Sequence, residues 1–443
     1  MISFVIPVAA IIISLADAPS IIIFILNLIA IIPLSMTLTF ATERLCQDLG
    51  ETASALLNIS IGNLAELIIF VTALLKNNIR IVQASLLGSV LVNLLLVLGS
   101  AIIAGGILAP DQIYNTDVTH SFVGLLNLTV SCLLIPSAFY GSVKNIHTAD
   151  DIALSFSRGV SIILLGIYIL YLFFQFKSHP HLFRSHSSGP QCLGITSSRI
   201  SYNHDYEEVY SDEESFPVPP HTAATNIISP SQMEQVPSPS PPELPLSAPA
   251  DMHNGQGLPM VHIDTMERSN SPSIQWDNNN NYDIPSNRDD HYCRNQVIAN
   301  RTISLGLLTA STFLIAICAE FFASSFEALN DKSILGESFV GLIIIPIAGN
   351  VAEIVTATVV AGKGQMDLAI SVALGSAIQI GLFITPVMVL AGWALHKPLS
   401  LHFDQFGMVT LVGSVLLVSF IILKGKTNYL EGAILCACFA AIS

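Results

Sequence analysis

Charge is what this sequence has least of. Only 11% of its 443 residues are Asp, Glu, Lys or Arg, where an ordinary soluble domain carries about 25%. Basic residues are the scarcer kind, 17 Lys and Arg against 32 Asp and Glu for a net charge of −15, which argues against nucleic acid as a partner. The seven cysteines, Cys46, Cys132, Cys192, Cys293, Cys318, Cys436 and Cys438, are scattered without a CxxC pair. They indicate neither a disulfide framework nor a zinc site and read as small apolar fillers. HExxH, P-loop, nucleophile-elbow and dinucleotide motifs are all missing, so the chain is not read as an enzyme and calls for no cofactor. The dyad alternation of transmembrane strands is missing too. What remains is 52% apolar residues in continuous blocks of Leu, Ile, Val and Ala, which predict helices in a bilayer with membrane lipid as their surroundings.

The first block, 4–15, is a short helix followed by Ala16-Asp17-Ala18. A signal peptide with a small-residue cleavage site is the alternative, but the basic n-region of such peptides is lacking. Blocks at 20–46, 52–75, 81–106, 118–139 and 155–176 each reach the ~20 residues needed to cross a bilayer. A second set follows at 297–322, 338–361, 368–395, 403–423 and 429–443, the last of them expected to be an incomplete helix. The expected parts are therefore an extra N-terminal helix at 1–18, one unit at 19–176, a polar segment at 177–296 and a second unit at 297–443.

The two units resemble each other. Gly62-Asn63-Leu64-Ala65-Glu66 returns as Gly349-Asn350-Val351-Ala352-Glu353, 287 residues on, and Leu87-Gly88-Ser89 returns as Leu374-Gly375-Ser376 in the same register. Ala41-Thr42-Glu43 and Cys318-Ala319-Glu320 form a weaker match. Five spans per unit would turn the second copy upside down relative to the first, the inverted repeat of secondary transporters, with a site where the halves meet near the midplane. The fold expected is an all-α polytopic membrane protein of two inverted five-helix repeats plus a short N-terminal helix, about 11 transmembrane helices in all. Lys76, Arg80 and Lys144 fall on one side and Lys363, Lys424 and Lys426 on the other, a balance from which the positive-inside rule sets no orientation.

Each repeat places one carboxylate inside an apolar stretch, where a charge costs roughly 2.5–3.5 kcal/mol on insertion scales. Glu66 and Glu353 are the primary candidates, a pair able to hold a hard divalent cation or protons. Cation and proton would compete for one site, as an antiporter requires. On a continuous helix Gly62, Asn63 and Glu66 would share a face, as would Gly349, Asn350 and Glu353. Asn63 and Asn350 are read either as amide ligands or as interhelical hydrogen-bond formers. Ser89, Ser376 and Gln379, with Asn93 one turn after Ser89, offer further oxygens. Gly88 and Gly375 read as close-packing residues. Glu43 and Glu320 lie near span ends, either as outer stations on the cation or proton route or as ordinary carboxylates in headgroup water, and Arg44 is placed to neutralise Glu43.

The 177–296 segment differs in kind, with Pro237-Ser238-Pro239-Ser240-Pro241-Pro242, an Asn run at 278–281 and an acidic patch at 205–214. Its composition is that of a disordered linker. Ser229, Ser238, Ser240 and Ser271 precede prolines, which suits cytosolic kinases as partners.

The apolar segments also carry a family resemblance. Asn27 to Leu34, Gly62 to Leu67, Ile81 to Ser89 and Gly349 to Glu353 resemble the calcium/proton exchangers of fungal and plant vacuoles, within the cation/calcium exchanger superfamily. The resemblance covers roughly 24–176 and 297–443. It implies a ten-helix core with one extra helix, calcium held between the glutamates of the two motifs, and proton-driven uptake of cytosolic calcium across the membrane of a vacuole or another acidic organelle. Two positions depart from the family pattern: Ile354 stands where relatives commonly carry histidine, and Arg44 where they commonly carry glutamate. Two other readings remain open, a sodium-coupled calcium exchanger of the same superfamily and a non-transporting membrane regulator acting through the long segment.

Overall fold

The structure, a computed structural model, describes residues 2–16, 18–47, 57, 61–140, 146–179, 288–330 and 336–443. The acidic patch, the Ser-Pro sites and almost all of the 177–296 segment fall outside the described residues. In chain order the elements are α1 (Ile2–Leu15), α2 (Ser20–Gln47), α3 (Leu64–Leu75), α4 (Ile79–Leu108), β1 (Gln112–Ile113), α5 (Thr116–Tyr140) and α6 (Ile146–Phe173), which runs on through a π turn to Ser178. The second half contributes α7 (Arg288–Asn330), α8 (Glu337–Gly349), α9 (Val351–Ala361), α10 (Met366–Ala394), α11 (Gln405–Ile422), β2 (Lys426–Thr427) and α12 (Tyr429–Ile442).

The duplication extends to details that sequence motifs alone do not show. α3 and α9 begin at Leu64 and Val351, and α4 and α10 begin at Ile79 and Met366, in each case 287 residues apart. The turns joining them place Asn77 (φ 65°) and Gly364 (φ 77°) in the left-handed region, again 287 apart, where Asn and Gly are the residues that adopt it without large strain. α4 and α10 each carry a π turn, at Val92–Val97 and Ile380–Ile384. α2 and α7, the most extensively packed helix pair, run antiparallel. Phe24 near the start of α2 stacks on Phe322 near the end of α7, with ring centroids 4.8 Å apart, and approaches Phe326. The first helices of the two halves thus point in opposite senses.

Among the described residues each half contributes five helical segments, the bent pair α8 and α9 counted as one. Seven helices there are long and apolar enough to span a membrane, or eight if that bent pair counts as one span. α1, α3 and α12 have 14, 12 and 14 residues, about 18–21 Å of helix against about 30 Å of hydrocarbon. For α3 the reason lies in the motif: the helix restarts at Leu64, after Gly62 and Asn63 interrupt it.

α4 and α10 form the centre, 83% and 67% buried, while α6 is only 22% buried and faces outward. The halves are tied at both ends by each other's loops. β1 pairs with β2, and Tyr114 adds a backbone bond to Gly425 and a hydroxyl bond of 2.9 Å to the Ile422 carbonyl. At the opposite end the stretch 397–403 lies over α4, α5 and α6. There Gln83 donates to the Ser400 carbonyl at 2.8 Å, Ser137 to the Leu401 carbonyl at 3.1 Å, and the Leu401 N–H to Ser157 at 2.8 Å, with His402 stacked on Tyr140. In a bilayer such loop backbone must find protein partners.

The two glycines expected to serve close packing differ. At Gly88 a Cβ would run into the Leu342 carbonyl oxygen and lie 2.5 Å from Pro346 Cγ, so α4 and α8 touch backbone to backbone. At Gly375 nothing lies within 4 Å, which overturns close packing as its purpose. Gly88→Ala is expected to destabilise the protein by about 1–3 kcal/mol through overpacking, while Gly375→Ala leaves stability unchanged or raises it by about 0.5–1 kcal/mol. Thermal unfolding of the purified variants in detergent checks the contrast, and equal losses would refute it.

Candidate cation and proton site

The Gly-Asn-x-x-Glu runs do not sit on continuous helices, so the shared face expected for Gly, Asn and Glu is corrected. Gly62 and Asn63 form a turn before α3, and Asn350 joins α8 to α9 at a bend of 52°. Asn63 (φ −102°, ψ 24°) and Asn350 (φ −99°, ψ 16°) share one non-helical backbone conformation, in the bridge region. The local cause is chemical. Gly and Asn are poor helix-interior residues, and an Asn side chain competes with the backbone for hydrogen bonds; the Asn350 amide donates to the Pro346 carbonyl at 2.9 Å. The break puts Glu66 and Glu353 in the first turn of a new helix, where the positive end of the peptide dipoles favours a negative charge.

The two halves meet on Glu66, which is 3% exposed. Its Oε1 accepts a 2.6 Å bond from the Ser89 hydroxyl of α4 and a second bond from the Asn350 amide of the other half. The Glu66 side chain lies against Gly349, where an added Cβ would stand 3.0 Å from Glu66 Cγ and 3.2 Å from Oε1. Asn93 donates to Asn350 Oδ1 at 2.7 Å, and Ser376 donates to Asn63 Oδ1 at 3.2 Å. Glu353 lies one turn beyond Asn350, in the first turn of α9. Four buried polar atoms here have no hydrogen-bond partner: Glu66 Oε2, Glu353 Oε2, Asn63 Nδ2 and Asn93 Oδ1.

Of the residues expected in the site, Ser89, Asn350 and Gly349 thus meet on Glu66, Asn63 and Ser376 pair with each other, and Glu353 follows Asn350 by one turn. Gly62 contributes the turn. Gln379 is the last residue of α10 before its π turn. Glu43 and Glu320 stand apart from the cluster and towards opposite ends of the bundle. Glu320 adjoins Phe322, which meets the start of α2, and Glu43 lies 19 residues beyond Phe24 along that helix, about 28 Å. Glu320 is ion-paired with Lys76 at 2.5 Å. Arg44 lies over the Phe40 ring, 5.0 Å from its centroid, so its guanidinium meets an aromatic face. Pro346, whose carbonyl holds Asn350 and whose ring packs on Gly88, is a site component that spacing alone did not reveal. A proline inside an apolar span beside a Gly-Asn pair was the available signal of a broken helix.

Chemically the cluster is an oxygen site. It brings together carboxylate, amide and hydroxyl oxygens, donor types that suit a hard, exchangeable cation. Gly349→Ala is expected to displace the Glu66 carboxylate by a few tenths of an ångström and to weaken calcium binding about three- to tenfold with little loss of thermal stability. Calorimetric titration of the variant measures this; unchanged affinity would show that the Glu66 contact with Gly349 is irrelevant to the site.

Comparison with known proteins agrees with this geometry. The family described as sodium/calcium exchanger protein matches residues 19–177 and 303–443, the two halves flanking the polar segment. The chain is 33% identical over 420 residues to the vacuolar calcium ion transporter of Schizosaccharomyces pombe, covering 95% of this chain and 77% of that protein. It is 28% identical over 421 residues to the Ca(2+)/H(+) antiporter of Synechocystis, covering 95% and 89%. Among solved structures, native YfkE superimposes with a TM-score of 0.65 at 24% identity over 99% of this chain and 98% of that one, a likeness of fold. With both repeats matched by the family and a third of residues shared across nearly the whole chain, the protein belongs to the sodium/calcium exchanger family.

Proposed function

We propose that the protein is a proton-coupled antiporter of divalent cations, with calcium as substrate, moving cytosolic calcium into a vacuole or another acidic organelle. The observation that carries it is Glu66 of one half held against Gly349 and Asn350 of the other, with Glu353 one turn beyond Asn350. Two carboxylates, one from each repeat, neutralise one divalent cation or hold protons in its place. Both loaded forms are electrically neutral, whereas the empty form concentrates negative charge in a low-dielectric bundle. That difference favours passage between orientations only when the site is filled, which is the condition for exchange. The calcium transport named for the Schizosaccharomyces pombe relative and the calcium/proton exchange named for the Synechocystis relative support the substrates, and the vacuolar description of the former supports the location. Ser89 and Asn350 orient Glu66, and Ser376 orients Asn63. The unpartnered Glu66 Oε2 and Glu353 Oε2 are the oxygens left free for the cation.

Protonated glutamates cannot ligate, so calcium affinity falls as pH falls, by about tenfold per pH unit for each proton displaced. In reconstituted vesicles an acid interior drives calcium uptake, and Glu66→Gln and Glu353→Gln each reduce it at least tenfold. Uptake that survives both collapse of the proton gradient and these substitutions would overturn the proposal. Uptake that instead follows an imposed sodium gradient would assign sodium coupling.

A further inference from the structure

We propose that the outward face of α6 binds the phosphate of a membrane phospholipid through Arg158, whose guanidinium stacks on Trp393. Arg158 makes no ion pair with a carboxylate among the described residues, and its Nε is buried without a hydrogen-bond partner. Its guanidinium carbon lies 4.9 Å from the centroid of Trp393, next to the last residue of α10, and Trp393 is itself 49% exposed. A guanidinium presents five donors in a planar fork suited to phosphate oxygens, and the tryptophan face covers only one side of it.

The position is at headgroup height. The neighbouring Ser157 accepts the backbone N–H of Leu401, a residue of the stretch joining α10 to α11, so Arg158 lies where the loops of the bundle begin. Its Cβ points towards the start of α6, the end where Tyr140 and His402 stack, so the side chain extends towards water as interfacial arginines do. Below it, Ile162, Ile169 and Leu170 are 58%, 66% and 67% exposed, a surface for acyl chains. Gly159 and Gly166 have nothing within 4 Å of an added Cβ, so no other element packs on that face there. An unpaired cation above a bare apolar helix face, with an aromatic ring beside it, has the chemistry of a phospholipid site: phosphate at the top and hydrocarbon beneath.

The chain contains two tryptophans, so Trp276→Phe leaves Trp393 as the sole reporter in an otherwise complete protein. Titration of that protein in detergent micelles with a phospholipid brominated on its acyl chains is expected to quench Trp393 saturably. Brominated diacylglycerol, which lacks the phosphate, should need at least tenfold higher concentration, and millimolar inorganic phosphate should not displace the phospholipid. Arg158→Gln should weaken phospholipid quenching to the diacylglycerol level. Equal quenching by the two lipids in the unsubstituted-arginine protein would overturn the site without reliance on any arginine variant. Displacement by inorganic phosphate would overturn the lipid assignment in favour of a soluble anion, and quenching unchanged in a folded Arg158→Gln protein would overturn the role of Arg158.

Discussion

Two carboxylates inside an apolar bundle, Glu66 buried and Glu353 half-buried, set the terms for the rest of this structure. Each costs roughly 2.5–3.5 kcal/mol in a bilayer-spanning helix, and among the described residues no lysine or arginine pairs with Glu66; what meets it is a serine of its own half and an asparagine of the other. Hydrogen bonds to a charged acceptor are individually worth about 1.5–3 kcal/mol, enough to hold one carboxylate in place but not to neutralise it. Neutrality has to come from a cation or a proton. A site completed by its cargo is thus a consequence of its solvation.

The helix breaks follow from the same constraint. A continuous helix consumes its own N–H and C=O groups, leaving only side chains to bind an ion. Interrupting it at Asn63 and Asn350 places helix starts at the depth of the carboxylates, as in transporters built from discontinuous helices. The interrupting asparagine of the second half is held by its side chain: the Asn350 amide donates to the Pro346 carbonyl, and Asn350 Oδ1 accepts from Asn93. The halves are not chemically identical here. Asn93 belongs to the first half, and the residue 287 positions on is Ile380, so Asn350 is held by a neighbouring amide while Asn63 keeps an unpartnered Nδ2. Two copies of one motif have acquired different surroundings, and the repeat is symmetric in backbone more than in side-chain chemistry.

Around this centre the outer elements have separate tasks. The glycine contact of α4 with α8 brings backbones together beneath the site, and the reciprocal loop contacts at each end tie one half to the other. α6 is left largely bare, and its exposed surface is where the protein meets lipid.

The sequence by itself determined the class, the duplication and the two glutamates. Scarcity of charge, length of apolar blocks and a repeated five-residue motif are local properties, and a carboxylate inside an apolar block is visible without coordinates. It signalled a helix break only in the second copy, where Pro346 precedes Gly349-Asn350; the first copy has no such proline, and Gly and Asn alone weaken a helix without ending it. It could not separate Gly88 from Gly375, identical in motif, because only the packing of α8 distinguishes them. Nor could spacing show that Glu66 would rest on Gly349 and Asn350: residues 283 and 284 positions away meet only when an inverted half is laid against the first. Which carboxylates exist was written locally. Which groups surround them was decided by the contact between halves, since hydrogen bonds across 2.6–3.2 Å depend on positions that no local pattern encodes.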